Sequence, residues 1–134
     1  MGIDQMDNRE NHATFQHQHQ LIETPERVSS LMNSAMENHP SVKIAPDHSD
    51  ESFQTHLLNI DYERKLLTLK QIDYTFGHLM VIAAKSLNVY CQQDGAEISF
   101  STYLSRFSER NGGFYEIRFP EKVQVSSLPT NRFN

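Results

Sequence analysis

The side chains in this chain that could do chemistry are few and scattered. Cys91 is the only cysteine. A thiolate can be a nucleophile or a metal ligand, but Cys91 falls in step with Leu87 and Val89 on the apolar side of a strand pattern. A free cysteine in that setting is an inert small hydrophobe. His12, His17 and His19 gather near the start of the chain, without the carboxylate or thiol partners and fixed geometry that hold a metal. Asp47, Asp50 and Glu51 crowd a polar turn, yet the spacing of a cation-binding loop is absent. Asp94 and Glu97 flank a second turn and suit turn and solvent-face positions better than paired acid–base work. His56 sits alone on a strand, with no nucleophile or base placed beside it by motif. Phosphate-cradling, zinc-protease, CxxC and nucleophile-elbow motifs are all missing. The sequence therefore assigns no catalytic, cofactor-binding or metal-ligating residue, and it reads as a non-enzyme.

The elements around these residues are clearer. Leu87, Val89 and Cys91 alternate with Asn88, Tyr90 and Gln92, and Ala96, Ile98, Phe100 and Thr102 alternate with Glu97, Ser99 and Ser101. Asp94-Gly95 lies between the two runs, and Asp-Gly is the strongest short hairpin signal because a type I′ turn needs positive φ at both central residues. Upstream, Thr24 suits an N-cap, Pro25 the first helical position and Glu26 the first turn. Val28, Leu31, Met32, Ala35 and Met36 then recur on one helical face, and the helix should end near Asn38, ahead of Pro40. The two methionines would suit an adaptable partner surface, but packing on the chain's own barrel is the simpler use of such a stripe.

Short alternating runs follow: Val42 and Ile44; Phe53 to Ile60, closed by an Asp61–Lys65 turn; Leu66 to Leu69; and Phe114 to Phe119 before Pro120. Ile72 to His78 reads as irregular, with a bend at Gly77, and Leu79 to Ala84 as a strand or a short buried turn. Ser105 to Asn111 reads as a polar connection. The expected fold is mainly β: a small antiparallel β-barrel of about six strands with one N-terminal amphipathic helix. Phe114 to Phe119 is the candidate exposed edge for pairing with another chain.

Composition sets the outer limits. Residues 1–23 are rich in Gln, Asn, His and acids, so a disordered polar tail is expected there; residues 24–123 form the domain, and 124–134 a linker or tail. The 134 residues carry a net charge of −5 and are 37% hydrophobic, which argues against a general nucleic-acid-binding surface. No apolar run approaches the ~20 residues that span a bilayer, and no secretory signal is present. With one cysteine, an internal disulfide is impossible, and a cytoplasmic location is expected.

The order of the pieces adds a resemblance. TPxxV from Thr24 to Val28, VKI from Val42 to Ile44, FQTHLLNID from Phe53 to Asp61 and LLTL from Leu66 to Leu69 come first. The hairpin LNVYCQQDGAEISF from Leu87 to Phe100 and the closing YEIRFPEKV from Tyr115 to Val123 follow. Together they resemble the N-terminal YcgR domain of bacterial flagellar brake proteins, the cyclic-di-GMP effectors that carry a PilZ domain next, over residues 24–123. The resemblance implies a split barrel related in shape to flavin-reductase-like FMN-binding domains, without implying flavin. It also implies a cytoplasmic role, at the flagellar basal body, in slowing motility when cyclic-di-GMP rises. In that family the messenger binds mainly an Arg-x-x-x-Arg motif just after the proline-bounded strand, where guanidinium groups pair with phosphate and stack on guanine. This chain departs there: Arg132 is the only arginine of its last stretch, and Leu128 stands four residues earlier. No nucleotide-binding residue is carried over, and the PilZ domain is expected to be absent. The expectation is a non-catalytic interaction module of the flagellar brake type, acting through protein partners such as motor or stator components or a PilZ domain. The alternatives are a cyclic-di-GMP binder whose arginines come from a partner or second copy and, more remotely, a flavin-binding protein. Partner, docking face and oligomeric state are left open.

Overall fold

Alternating apolar residues on successive short strands make a sheet that can bury one face only by closing on itself or by acquiring a lid, and here it does both. The computed structural model describes residues 18–38, 40–93 and 95–127. In chain order these are β1 (Gln18–Ile22), α1 (Pro25–Asn38), β2 (Ser41–Pro46), β3 (Phe53–Asp61), β4 (Leu66–Lys70), α2 (Thr75–Ala84), β5 (Ser86–Gln93), β6 (Ala96–Ser108), a 3₁₀ turn (Arg110–Gly112), β7 (Phe114–Arg118) and β8 (Val123–Ser127). Every strand pairing is antiparallel. The order β6–β5–β2–β3–β4–β7 returns to β6, which closes a six-stranded barrel.

β6 makes the barrel split. Its first residues, Ala96 to Ser99, lie between β5 and β8, while Leu104 to Ser108 pair with β7 across a register shift between Leu104 and Arg106. Between the two partners, Thr102 Oγ1 donates to the carbonyl of Arg118 at 2.7 Å. The other side of β8 pairs with β1, with Ile22 opposite Val123. Both of those side chains are buried, so they fasten the β1–β8 ribbon to the core.

The core is built from strand residues on the inward face: Val42, Ile44, Leu57, Leu67, Leu69, Leu87, Val89, Cys91, Ile98 and Ile117 are all buried. Helix α1 covers it with Val28, Met32 and Ala35, with Leu31 and Met36 packed alongside. Its first bond runs from Val28 N–H to the carbonyl of Thr24 at 3.0 Å, as the Thr-Pro start predicts. The Gln93–Ala96 pair closes the central hairpin and Gly95 has φ +68°; Asp94 lies outside the described residues.

Four local expectations are corrected. Among the described residues there are two helices: residues 75–84, read as a bend followed by a strand or turn, form α2. Ser105 to Ser108 continue β6, because the strand exchanges one partner for another instead of stopping. The order extends beyond 24 and 123, since residues 18–22 and 123–127 pair as a ribbon. Phe114–Phe119 is no open edge, because β7 is paired with β4 on one side and β6 on the other. Residues 1–17 and 128–134, with His12, His17, Leu128 and Arg132, lie outside the described residues.

Candidate functional site

Helix α2 carries ten residues, TFGHLMVIAA, without a formal charge. A helix that is apolar all round is ordinarily buried, yet α2 buries only Gly77 and Val81. Tyr74, at its N-cap, and Phe76 and Leu79 are 59%, 54% and 56% exposed. Tyr74 lies 6.1 Å from the Phe53 ring on one side and 6.1 Å from the Phe76 ring on the other, measured between centroids. An aromatic and aliphatic plate therefore faces water on one side of the barrel.

The plate is held firmly from below. A Cβ on Gly77 would come 2.8 Å from the Phe53 ring, so the glycine lets the helix lie directly on β3. His78 Nδ1 meets the Tyr115 hydroxyl at 2.7 Å, and that hydroxyl accepts the N–H of Ile72 at 3.3 Å. The His78 ring also lies 4.7 Å from Phe107. Tyr115 is fully buried, and burial pushes its phenol above the usual range, against the Ile72 bond. It therefore stays neutral. At the C-terminus, Lys85 adopts φ +66° and donates its N–H to the Val81 carbonyl at 3.1 Å; its own carbonyl accepts the N–H of Leu104 at 2.6 Å. A shallow cleft of about 430 Å³ continues the plate, floored by Leu79, Ile82, Leu104 and Phe107, with Lys85 and Arg106 among its lining.

A second cleft, about 560 Å³, opens where β6 exchanges β8 for β7. Tyr90, Tyr103, Arg118, Glu121 and Lys122 contribute to it. Among the described residues, neither Arg118 nor Lys122 has a carboxylate within ion-pair distance. Glu116 is different: it is buried, takes a hydrogen bond from Arg106 Nε at 3.0 Å and lies 3.8 Å from Arg64. It ties β7 to β6 and to the β3–β4 turn.

The residues singled out by their chemistry are not brought together. Cys91 is buried, and burial, with Glu97 next, pushes its thiol up to about 12, so the thiolate is disfavoured. His56 is exposed on β3, and Asp47, Asp50 and Glu51 are exposed on the β2–β3 connection. Among the described residues no group of three His, Cys, Asp or Glu converges as a metal site, and no helix is long and apolar enough to cross a membrane. Sequence reasoning missed the α2 plate; its signal was the uncharged run Thr75–Ala84, which lacks periodicity because both faces are apolar.

The family model described as "Flagellar regulator YcgR, PilZN domain" matches residues 21–124. A search of curated proteins finds no match. Among solved structures, the YcgR-N domain of YcgR from Escherichia coli superposes with a TM-score of 0.68 at 16% identity, over 78% of this chain and 93% of that one. YcgR in complex with c-di-GMP from Escherichia coli gives 0.68 at 16%, over 84% of this chain and 47% of that one. The K. pneumonia MrkH–c-di-GMP complex gives 0.61 at 15%, over 86% and 47%. The chain thus spans about half the length of these two longer proteins.

Proposed function

This chain belongs to the PilZN family of YcgR flagellar regulators, and on that premise we propose that it is a non-catalytic regulatory module that works by docking on protein. The observation that supports this reading is the α2 plate: Tyr74, Phe76 and Leu79, each more than half exposed on a helix pinned by Gly77, His78 and Tyr115. Exposed apolar surface on a rigid support is what a docking surface requires, since ordering costs little and water is displaced on contact. The role is cyclic-di-GMP control of bacterial motility from the cytoplasm, with a PilZ domain or a flagellar motor or stator component as the partner. Similar proteins of about twice the length are seen with c-di-GMP; on this reading the chain does not bind it tightly by itself.

The test has two arms. Calorimetric titration of the chain with cyclic-di-GMP is expected to give no binding at micromolar concentration; submicromolar affinity would make it a direct sensor. A purified PilZ domain or stator cytoplasmic segment is then titrated against the native chain and against Phe76→Asp and Leu79→Asp. Native binding lost in both variants, with folding intact, supports docking through α2. Binding unchanged in both variants removes α2 as the docking surface.

A second reading rests on the cleft at the β6 exchange. Arg118, Lys122 and Tyr103 combine cations with an exposed ring, a composition suited to sharing a phosphorylated aromatic ligand with a partner or second copy.

A further inference from the structure

Between its partners β8 and β7, β6 has a stretch that pairs with β5 alone. Ser99 faces Gln124 of β8, and Leu104 faces Ile117 of β7. Four residues separate Ser99 from Leu104, whereas six separate Ile117 from Gln124. The two extra residues make Phe119–Lys122 bulge away from β6, opposite Phe100–Tyr103. Bulges at barrel rims interrupt the ladder and re-aim side chains, and this one walls the cleft of about 560 Å³.

The interruption leaves backbone groups facing the cleft. Leu104 gives its N–H to the Lys85 carbonyl, on the β5 side, at 2.6 Å. Successive residues of a strand present their N–H and C=O to opposite sides. Thr102 and Phe100 therefore also face β5, and Ser101 faces the bulge. Among the described residues, neither the N–H nor the C=O of Ser101 has a backbone partner on that side. Its side chain is engaged elsewhere, donating to Asn88 Oδ1 at 2.8 Å.

Charge gathers in the same cleft. Arg118 and Lys122 line it and are exposed, and among the described residues neither is in an ion pair. Glu121 is the single acid of the lining. Two cations less one carboxylate leave the cleft at +1, in a chain whose net charge is −5.

We infer that this cleft binds an extended peptide segment of a protein partner, with one peptide unit paired to Ser101 and one Asp or Glu side chain held by Arg118 and Lys122. A strand edge that offers both an N–H and a C=O matches a peptide backbone, which offers the same two groups in return. The two cations supply charge-assisted hydrogen bonds to a carboxylate, and one carboxylate neutralises the +1. Half-buried Tyr90 and exposed Tyr103 add ring faces for the neighbouring side chains. A doubly charged cyclic dinucleotide exceeds that charge, and its phosphates offer no N–H to the Ser101 carbonyl. The cleft is separate from the α2 plate, and the inference does not rest on docking there.

The experiment is an amide NMR titration of the full 134-residue chain with the blocked peptide acetyl-Thr-Val-Glu-Val-Thr-amide, carried to about 2 mM because a single short segment binds weakly. The amides of Ser101 and Tyr103 and those of Arg118 to Lys122 are expected to shift. Replacing the peptide's Glu by Gln, or the protein's Arg118→Gln or Lys122→Gln, should each weaken binding about tenfold, and added salt should weaken it further. Phe76→Asp should leave it unchanged, so failure of docking through α2 and failure at this cleft are separate results. Arg118 and Lys122 are exposed, so their variants should keep the native melting temperature; if either does not, the shift map of the native chain and the Glu-to-Gln peptide pair decide. No shift at these amides overturns the inference. So do equal binding of the two peptides, loss of binding in Phe76→Asp, or cyclic-di-GMP shifting these amides where the peptide does not.

Discussion

Replacing Tyr115 with Phe removes one oxygen atom, and the structure says what that atom does. It accepts the N–H of Ile72 and meets His78 Nδ1, at a side chain with no solvent exposure. Phe fills the same ring volume, so no large cavity forms. The loss comes from polar groups left without a partner. A buried N–H without an acceptor costs about 1–3 kcal/mol; Ile72 is itself buried, and half-buried His78 loses its partner too. A destabilisation of about 2 kcal/mol follows. For a chain of this length, one kcal/mol shifts the melting temperature by about 4 °C, so Tm should fall by about 8 °C. Urea unfolding at pH 7 should show a lower midpoint with an unchanged slope. Because the hydroxyl ties α2 to β7, amide exchange in residues 75–84 should rise more than in α1. Phe76→Ala serves as the comparison: it removes an exposed ring and should stay within ~0.5 kcal/mol of native while weakening partner binding. A Tyr115→Phe loss below ~0.5 kcal/mol, or exchange unchanged in α2, would refute the claim that this hydroxyl seats the helix.

Gly77→Ala sets crowding of about 2 kcal/mol against Phe53 against a helix-propensity gain of about 1 kcal/mol; a net loss of about 1 kcal/mol is expected in urea unfolding, and Phe53→Leu in the same chain should relieve it. Cys91 should resist iodoacetamide at pH 8 in the folded protein and react once it is unfolded, because its thiol is pushed up to about 12. A thiol raised above its ordinary value of about 9 favours the folded state fully below pH 9. That contribution fades as pH rises toward 12, so Cys91→Ala should flatten the alkaline limb of the stability curve, by an amount on the order of 4 kcal/mol at its far end. Glu116→Gln keeps the shape but removes the charge shared with Arg106 and Arg64; since both guanidinium groups are more than half exposed, the loss should stay below ~1 kcal/mol and shrink in salt, and a loss above ~2 kcal/mol would mean that the carboxylate does more than pair.

Where a residue's fate depends on its near neighbours in sequence, the sequence alone determined it. The Val28, Met32 and Ala35 stripe, the Thr24-Pro25 start, the Asp94-Gly95 hairpin and the alternation in Val42–Ile44 and Leu66–Leu69 all placed their elements correctly. The order of these pieces was enough to identify the YcgR-type domain. Tertiary structure decided what local pattern does not encode. Helix α2 is apolar on every face, so no period marked it, and its seat consists of Phe53, Phe107 and Tyr115 from three separate strands. The ribbon pairs polar stretches from opposite ends of the described chain, secured by Ile22 against Val123. β7 has the alternation of a free strand, and only barrel closure gave it a second partner. Which faces remain open to another protein is likewise a property of closure. A strand's side-chain pattern says which face is buried, but not whether its backbone finds a neighbour on each side, because that neighbour is supplied by distant chain.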